Sequence, residues 1–99
     1  MITEVAAISV DAARSDAFEA AVAGVAHLFR DASGCRGMTL ERECEDPANY
    51  LLLVQWDSVE AHTQDFRSSS SFAAWRAAVA PFVMRPPSAV HTRNIATYF

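Results

Sequence analysis

Glycine is scarce in this 99-residue chain, and no glycine-rich loop is present. The three glycines stand at positions 24, 34 and 37, so neither a dinucleotide fingerprint nor a phosphate-binding loop can be formed. Such loops need several glycines because the backbone itself must approach the phosphate groups. The sequence therefore gives no indication of a nucleotide cofactor.

Disulfide frameworks, basic patches and long apolar runs are also missing. Cys35 and Cys44 are too few for a framework, and reduced thiols in a cytoplasmic protein are the simpler interpretation. The eight basic residues are scattered in a chain of net charge −4, which argues against nucleic acid as a partner. No apolar run approaches the ~20 residues of a membrane span, and Glu4 interrupts the apolar N-terminus, unlike a signal peptide.

The apolar pattern predicts one domain, residues 1–99, with the element order βαββαβ. Alternation in "MITEVAAISV" and "CRGMTLERECE" is typical of strands, and "SAVHTRNIATYF" is the predicted last strand. Between the first two strands a helix is predicted, with Asp16 and Glu19 as a capping box and Gly34 as a left-handed cap. This order is the α+β, ferredoxin-like plan, an antiparallel sheet with helices on one face.

The third predicted strand, "YLLLVQW", is apolar on both of its faces. Such a strand lies centrally in a sheet that is covered on both sides. Because both predicted helices can lie on one face, a second copy of the sheet would cover the other. With 52% hydrophobic residues in so short a chain, we expect a face-to-face homodimer.

The segment that follows this strand is predicted to form two helical pieces. Ser58 is the expected N-cap for "VEAHTQDF". The serines 68–71 then interrupt the helix, and one of them is expected to cap "FAAWRAAVAPF". No Gly-x-Ser-x-Gly context supports a nucleophilic serine in this run. We therefore interpret the serines as a helix break.

Acid–base chemistry has one candidate pair in the first of these pieces. His62 and Asp65 are three residues apart, so on an α-helix they share a face, and a carboxylate beside an imidazole makes a usable general base. The alternative is a solvated helix face with a helix-supporting pair. The three histidines belong to three different elements and show no ligand spacing, so no metal site is expected.

Aromatic residues around this pair can form either a core or the wall of a pocket for a planar organic ligand. They are Trp56, Phe66, Phe72, Trp75 and Phe82. Phe72 and Trp75 are expected to pack at least partly in the core.

The chain resembles the antibiotic biosynthesis monooxygenase family of the dimeric α/β barrel superfamily. The resemblance is carried by "ITEVAAISV", "FEAAV", "GCRGMTLER", "LLLVQWDSVEAHTQDFRSSSSFAAWRAAVAPFV" and "PPSAVHT", in that order, over essentially the whole chain. It implies a ferredoxin-like protomer, a dimeric barrel, and a pocket between helices and sheet. It also implies oxygenation of a small aromatic phenol, quinol or anthrone by O₂, with no cofactor.

Site residues follow from the resemblance only in part, because many relatives place a histidine just before the serine-rich break, where this chain has Asp65 and Phe66. We therefore expect His62, one turn earlier, to be the base, with Asp65 behind it and Trp56 beside it. Haem-degrading relatives need an axial histidine where this chain has Trp75, so haem degradation is disfavoured.

Substrate contacts are expected from the aromatic residues, with Arg67 and His91 as polar anchors for substrate oxygens. The substrate-binding set is therefore Phe66, Arg67, Phe72, Trp75, Phe82 and His91. Two alternatives stay open at this point. One is a non-catalytic dimeric barrel that binds a small aromatic compound, and the other is a structural dimer with every aromatic side chain in its core.

Overall fold

The computed structural model describes residues 1–99 and contains a four-stranded antiparallel sheet in the order β2-β3-β1-β4. The strands are β1 Ile2–Ser9, β2 Cys35–Arg42, β3 Asn49–Trp56 and β4 Ser88–Thr92. The helices are α1 Ser15–Val25, α2 His27–Arg30 and α3 Ser70–Val79. Short 3-10 helices span Ala12–Arg14 and Ala80–Phe82, and a π-helical turn spans Ala61–Phe66. The predicted ferredoxin-like α+β fold is confirmed.

The two central strands fix which residues enter the core. β1 and β3 pair along their whole length, from Ile2 opposite Trp56 to Ser9 opposite Asn49. Side chains alternate across a strand, so all the even-numbered residues of both strands point to the helical side, where they are buried. The helices cover this side with side chains that pack against the sheet, among them Phe18, Val22, Phe29, Trp75 and Val79.

The opposite face of the sheet has no helix over it. Leu51 is 41% exposed and Val90 is 60% exposed on this face, while Val5 and Leu53 are only half-buried. The two-sided apolar pattern of β3 therefore corresponds to one buried face and one open apolar face. None of the helices is long and apolar enough to span a membrane.

Two boundary predictions were wrong. Asp16 and Glu19 do not form a capping box, because the chain enters α1 through the 3-10 turn, where Asp11 Oδ1 accepts from Ala13 N at 3.0 Å. The last strand ends at Thr92, and residues 93–99 have no regular structure. The strand ends there because Thr92 already pairs with Thr3, near the start of its partner strand β1.

The serines do break the second helical region, as predicted. Ser58 Oγ accepts from Ala61 N at 3.2 Å ahead of the π-helical turn. Ser69 caps α3 by accepting from Phe72 N, also at 3.2 Å. Each hydroxyl satisfies a backbone N–H that has no partner inside its own helix.

Gly34 provides the left-handed turn between α2 and β2. Its φ is +82°, and its carbonyl accepts from Asp57 N at 2.8 Å, which ties the start of β2 to the end of β3. A Cβ at this position would meet Ala61 Cβ at 2.9 Å. The predicted left-handed cap is confirmed, and the close contact explains why a larger residue does not fit.

We predict that Gly34→Ala destabilises the protein by about 2–4 kcal/mol, from left-handed strain together with the contact with Ala61. Gly24→Ala is the matched control, because Gly24 lies in α1 with open space around it and should gain about 0.5–1 kcal/mol in helix propensity. Urea unfolding of the three proteins measures both effects. Equal stability of Gly34→Ala and the wild type would contradict this account of the turn.

Candidate functional site

A cavity of about 580 Å³ lies between the helical face of the sheet and α3. Its volume is in the range of pockets that enclose a small organic ligand. Ten of its seventeen lining residues are hydrophobic. The lining residues are Glu4, Ala6, Ile8, Leu52, His62, Arg67, Phe72, Trp75, Arg76, Val79, Ala80, Val83, Met84, Arg85, Pro86, Pro87 and Ala89.

Glu4 is the one carboxylate that lines the cavity, and it is only 5% exposed. It is buried because it occupies an even position of β1, where its neighbours on the same face are Ile2 and Ala6. Trp56 donates from Nε1 to Glu4 Oε1 at 3.0 Å. Burial raises the pKa of Glu4, and this effect exceeds the lowering by the Trp56 hydrogen bond and by the charge of Arg67.

His62 faces this carboxylate from the π-helical turn and is 2% exposed. Its ring stacks on Trp56 with centroids 5.4 Å apart and an interplanar angle of 17°. Nε2 lies 3.3 Å from Glu4 Oε1. Burial, and then the charges of Arg67 and His91, lower the pKa of His62 to about 4. The imidazole is therefore neutral at pH 7, and its contact with Glu4 is not an ion pair there.

His91 extends this row of polar groups away from the cavity. Its Nε2 lies 2.8 Å from His62 Nδ1, and its ring is half-buried on β4, opposite Glu4 of β1. When Glu4 is ionised, His62 presents Nε2–H to the carboxylate and accepts at Nδ1 from His91. When Glu4 is protonated, the hydrogen bonds run the other way. Glu4 then donates to His62 Nε2, and His62 Nδ1–H donates to His91 Nε2. The row can therefore carry a proton between the cavity and the half-buried His91.

The π-helical turn determines which side chains reach this row. Arg67 N donates to His62 O at 3.1 Å, five residues back, so the turn is wider than an α-helical one. His62 and Phe66 both point inward from it, whereas Asp65 is exposed. The expected His62–Asp65 pair does not form. Residues three apart share a face of an α-helix, but the wider π-helical turn points them in different directions. Glu4 of β1 takes the position expected for Asp65.

The structure brings four of the predicted site residues to the cavity, namely His62, Arg67, Phe72 and Trp75. Trp56 is fully buried and contacts the site through its indole N–H to Glu4. His91 lies behind His62 instead of lining the cavity.

Phe66 and Phe82 lie outside the cavity wall. Phe66 packs in the core against Phe29, with ring centroids 4.6 Å apart. Phe82 stacks under Arg14 and contacts Phe18 edge-on.

Glu4, Arg76 and Arg85 are cavity residues that the sequence reasoning missed. For Glu4 a signal was present, since it is an acid on the buried parity of an otherwise apolar strand, and a buried carboxylate needs polar partners. For the two arginines no local pattern distinguishes them from other exposed arginines. Nowhere do three His, Cys, Asp or Glu side chains converge as a group that could hold a metal ion.

Comparison with known proteins identifies relatives over nearly the whole chain. The sequence model of the antibiotic biosynthesis monooxygenase family matches residues 1–78. The uncharacterised protein YczJ of Bacillus subtilis (strain 168) is 30% identical over 95 residues, which cover 96% of this chain and all of that protein.

Solved structures share the fold. A Bordetella bronchiseptica protein described provisionally as an antibiotic biosynthesis monooxygenase is 40% identical, with a TM-score of 0.93 over 96% of this chain and 97% of that one. A variant of SnoaB, a cofactor-independent oxygenase from Streptomyces nogalater, superimposes with a TM-score of 0.81 at 21% identity, over 98% of this chain and 95% of that one. At that identity the SnoaB match establishes the fold alone.

We predict that the buried, neutral His62 makes the protein sensitive to acid. The unfolded chain binds a proton at the ordinary histidine pKa of 6.5, whereas the folded chain binds it only near 4. Stability is therefore lost as the pH falls from 6.5 towards 4, by at most about 3 kcal/mol. Urea unfolding at several pH values across this range measures the loss.

The comparison of variants isolates this effect from the other titrating groups. The raised pKa of Glu4 acts with the opposite sign, since it favours the folded state at low pH, but it is present in every protein compared. His62→Gln should show a shallower loss than the wild type, and His27→Gln, a change at an exposed histidine, should not. Parallel curves for His62→Gln and the wild type would disprove the assignment.

Proposed function

Because the chain belongs to the antibiotic biosynthesis monooxygenase family, we propose that it oxygenates a small aromatic phenol, quinol or anthrone with O₂ and without a cofactor. The observation that carries the proposal is the buried Glu4–His62 pair on the wall of a mostly apolar cavity. Such a cavity offers apolar surface to an aromatic substrate and presents a proton acceptor to it.

The proposed reaction begins with removal of a proton from the phenol oxygen or from the acidic anthrone carbon. The resulting anion transfers one electron to O₂, and the substrate radical and superoxide then combine to a peroxide anion. This anion takes back the proton removed in the first step and becomes a hydroperoxide. Loss of water from the hydroperoxide leaves a quinone, so one oxygen atom enters the product and the other leaves as water. The substrate anion supplies the electrons that a cofactor provides in other oxygenases.

Glu4 is the better proton acceptor of the pair. Burial raises the pKa of Glu4, which makes its carboxylate a stronger base than an exposed one. The pKa of His62, by contrast, is lowered to about 4, which makes its imidazole a weak base. We therefore assign proton removal to Glu4. His62, expected from the sequence to be the base, instead donates its Nε2–H to the ionised carboxylate and holds it in place.

The remaining lining favours binding of a flat ring. Phe72 and Trp75 of α3 line the cavity together with the aliphatic side chains of Ile8 and Leu52 of the sheet. Ring stacking and apolar contacts would hold the substrate, and the charge of Arg67 near Glu4 and His62 would stabilise its anion. SnoaB is a cofactor-independent oxygenase, so this fold is compatible with such a reaction.

We predict that Glu4→Gln lowers kcat/KM for oxygen uptake at least about 100-fold. The amide still accepts from the Trp56 N–H but cannot take a proton. Oxygen uptake with a panel of quinols and anthrones in metal-free buffer measures the effect, and Glu60→Gln, a change at an exposed glutamate, is the control. Wild-type activity should rise with pH as Glu4 ionises, through a pKa above the usual 4.5.

The pH profile also identifies the base. If His62 took the proton directly, activity would rise near pH 4, and this rise would persist in Glu4→Gln. If no compound of the panel supports oxygen uptake while the same compounds bind, the protein is a non-catalytic binder of aromatic molecules and the oxygenase proposal fails.

The open face of the sheet supports a second proposal, that the protein is a homodimer whose sheets pack face to face. Leu51, Leu53, Val5 and Val90 form an apolar surface on that face, and a second copy presents the same surface. A twofold axis brings such a self-complementary patch onto itself. Burial of this surface would also complete the covering of β3 that its two-sided apolar pattern predicts.

We predict that Leu53→Lys converts the dimer to a monomer, because face-to-face packing would bury two unpaired ammonium groups. Sedimentation velocity measures the oligomeric state, with circular dichroism as a check on folding. Ala23→Lys adds the same charge on the exposed side of α1 and should leave the dimer intact. A monomeric wild type, or a dimeric Leu53→Lys, would refute this arrangement.

A further inference from the structure

Three arginines line the cavity, and each comes from a different part of the chain. Arg67 follows the π-helical turn, Arg76 lies on α3, and Arg85 lies in the segment before β4. The chain contains eight arginines and no lysine, so the cavity holds a large share of its positive charge.

None of these three arginines has a carboxylate partner in the protein. By contrast, the guanidinium groups of Arg30, Arg36 and Arg42 each contact an acid within 3.3 Å. This lack of partners is not due to a lack of acidic residues, because the chain has twelve of them and a net charge of −4. The guanidinium groups at the cavity are therefore available to a ligand.

The charge of the cavity is opposite to that of the protein. Glu4 is the single acid among the lining residues, so arginines outnumber acids three to one there. A neutral aromatic ligand gains little from this arrangement, whereas an anionic one is attracted to it. The lining therefore favours a ligand that has both a flat apolar body and a negative charge.

The three arginines are not equivalent. The charge of Arg67 acts on both Glu4 and His62, which sets it near the reacting end of the cavity. Neither Arg76 nor Arg85 has such an effect. Arg76 extends over the ring of Phe72, with Cζ 5.8 Å from the ring centroid, and Arg85 also borders a second, neighbouring pocket. Arg76 and Arg85 are thus associated with α3 and with the neighbouring pocket, whereas Arg67 is associated with the Glu4–His62 pair.

We infer that the aromatic substrate carries a carboxylate, which Arg76 and Arg85 bind while the ring points towards Glu4 and His62. The inference rests on the proposed function only in taking the ligand as a substrate. The planar guanidinium group matches a carboxylate with two parallel hydrogen bonds. A guanidinium group also binds phosphate, but the chain lacks the glycine-rich loop of many phosphate sites, so we assign the carboxylate.

A binding experiment with a matched pair of stable compounds tests the inference without turnover. Anthraquinone-2-carboxylate and anthraquinone-2-carboxamide have the same ring system and differ in charge. Titration calorimetry should give at least tenfold tighter binding of the carboxylate to the wild type, and this preference should shrink as the salt concentration rises. Quenching of tryptophan fluorescence provides a second readout, because Trp75 lines the cavity.

Variants then locate the carboxylate. The double variant Arg76→Gln/Arg85→Gln should lose the preference while its affinity for the amide is unchanged. Arg93→Gln is the matched control, because Arg93 is exposed, forms no ion pair and lies outside the cavity. All three positions are exposed, so the variants should remain folded, and circular dichroism checks this.

Equal affinity for the two compounds, absence of binding by either, or a preference that survives in the double variant would each overturn the inference. The experiments distinguish a failure of this inference from a failure of the proposed function. If the arginine-dependent preference is found but no oxygen uptake occurs with carboxylated quinols, the carboxylate site stands and the oxygenase proposal falls.

Discussion

Burial of one carboxylate on an inner strand determines how this site is built. Glu4 lies among apolar side chains on the helical face of β1, where an uncompensated charge would be costly. Its compensation comes from the other central strand and from the segment after it, through the Trp56 N–H at 3.0 Å and His62 at 3.3 Å. The π-helical turn is what brings His62 inward. The π-helical turn after β3 thus provides a polar partner for the carboxylate that is buried on β1.

The fold was largely predictable from the sequence because it depends on periodicity. Alternation defined the strands. Ser58 and one serine of the run 68–71 were expected as caps, and the structure shows that the second is Ser69. The last strand was predicted too long, because its end depends on where its partner begins, which no local pattern of residues 88–99 records. The open apolar face followed from the two-sided pattern of β3.

The site was less predictable because its contacts join residues far apart in the chain. His62 and Trp56 were identified, but the partner of His62 was placed three residues away on an assumed α-helix, whereas it stands on β1. Periodicity does not distinguish a π-helical turn from an α-helical one, and this single difference moved Asp65 to the surface. Arg76 and Arg85 were missed for the same reason, since only the tertiary fold brings them to one cavity.

In the proposed reaction, burial of Glu4 would make it a stronger base when a substrate binds. In the free protein the charge of Arg67 and the Trp56 hydrogen bond lower the pKa of Glu4 and so oppose the effect of burial. A substrate that fills the cavity displaces water and adds to the desolvation of the carboxylate. In the proposed reaction this desolvation would raise the pKa of Glu4 further, so its carboxylate would become more basic at the step that requires proton removal.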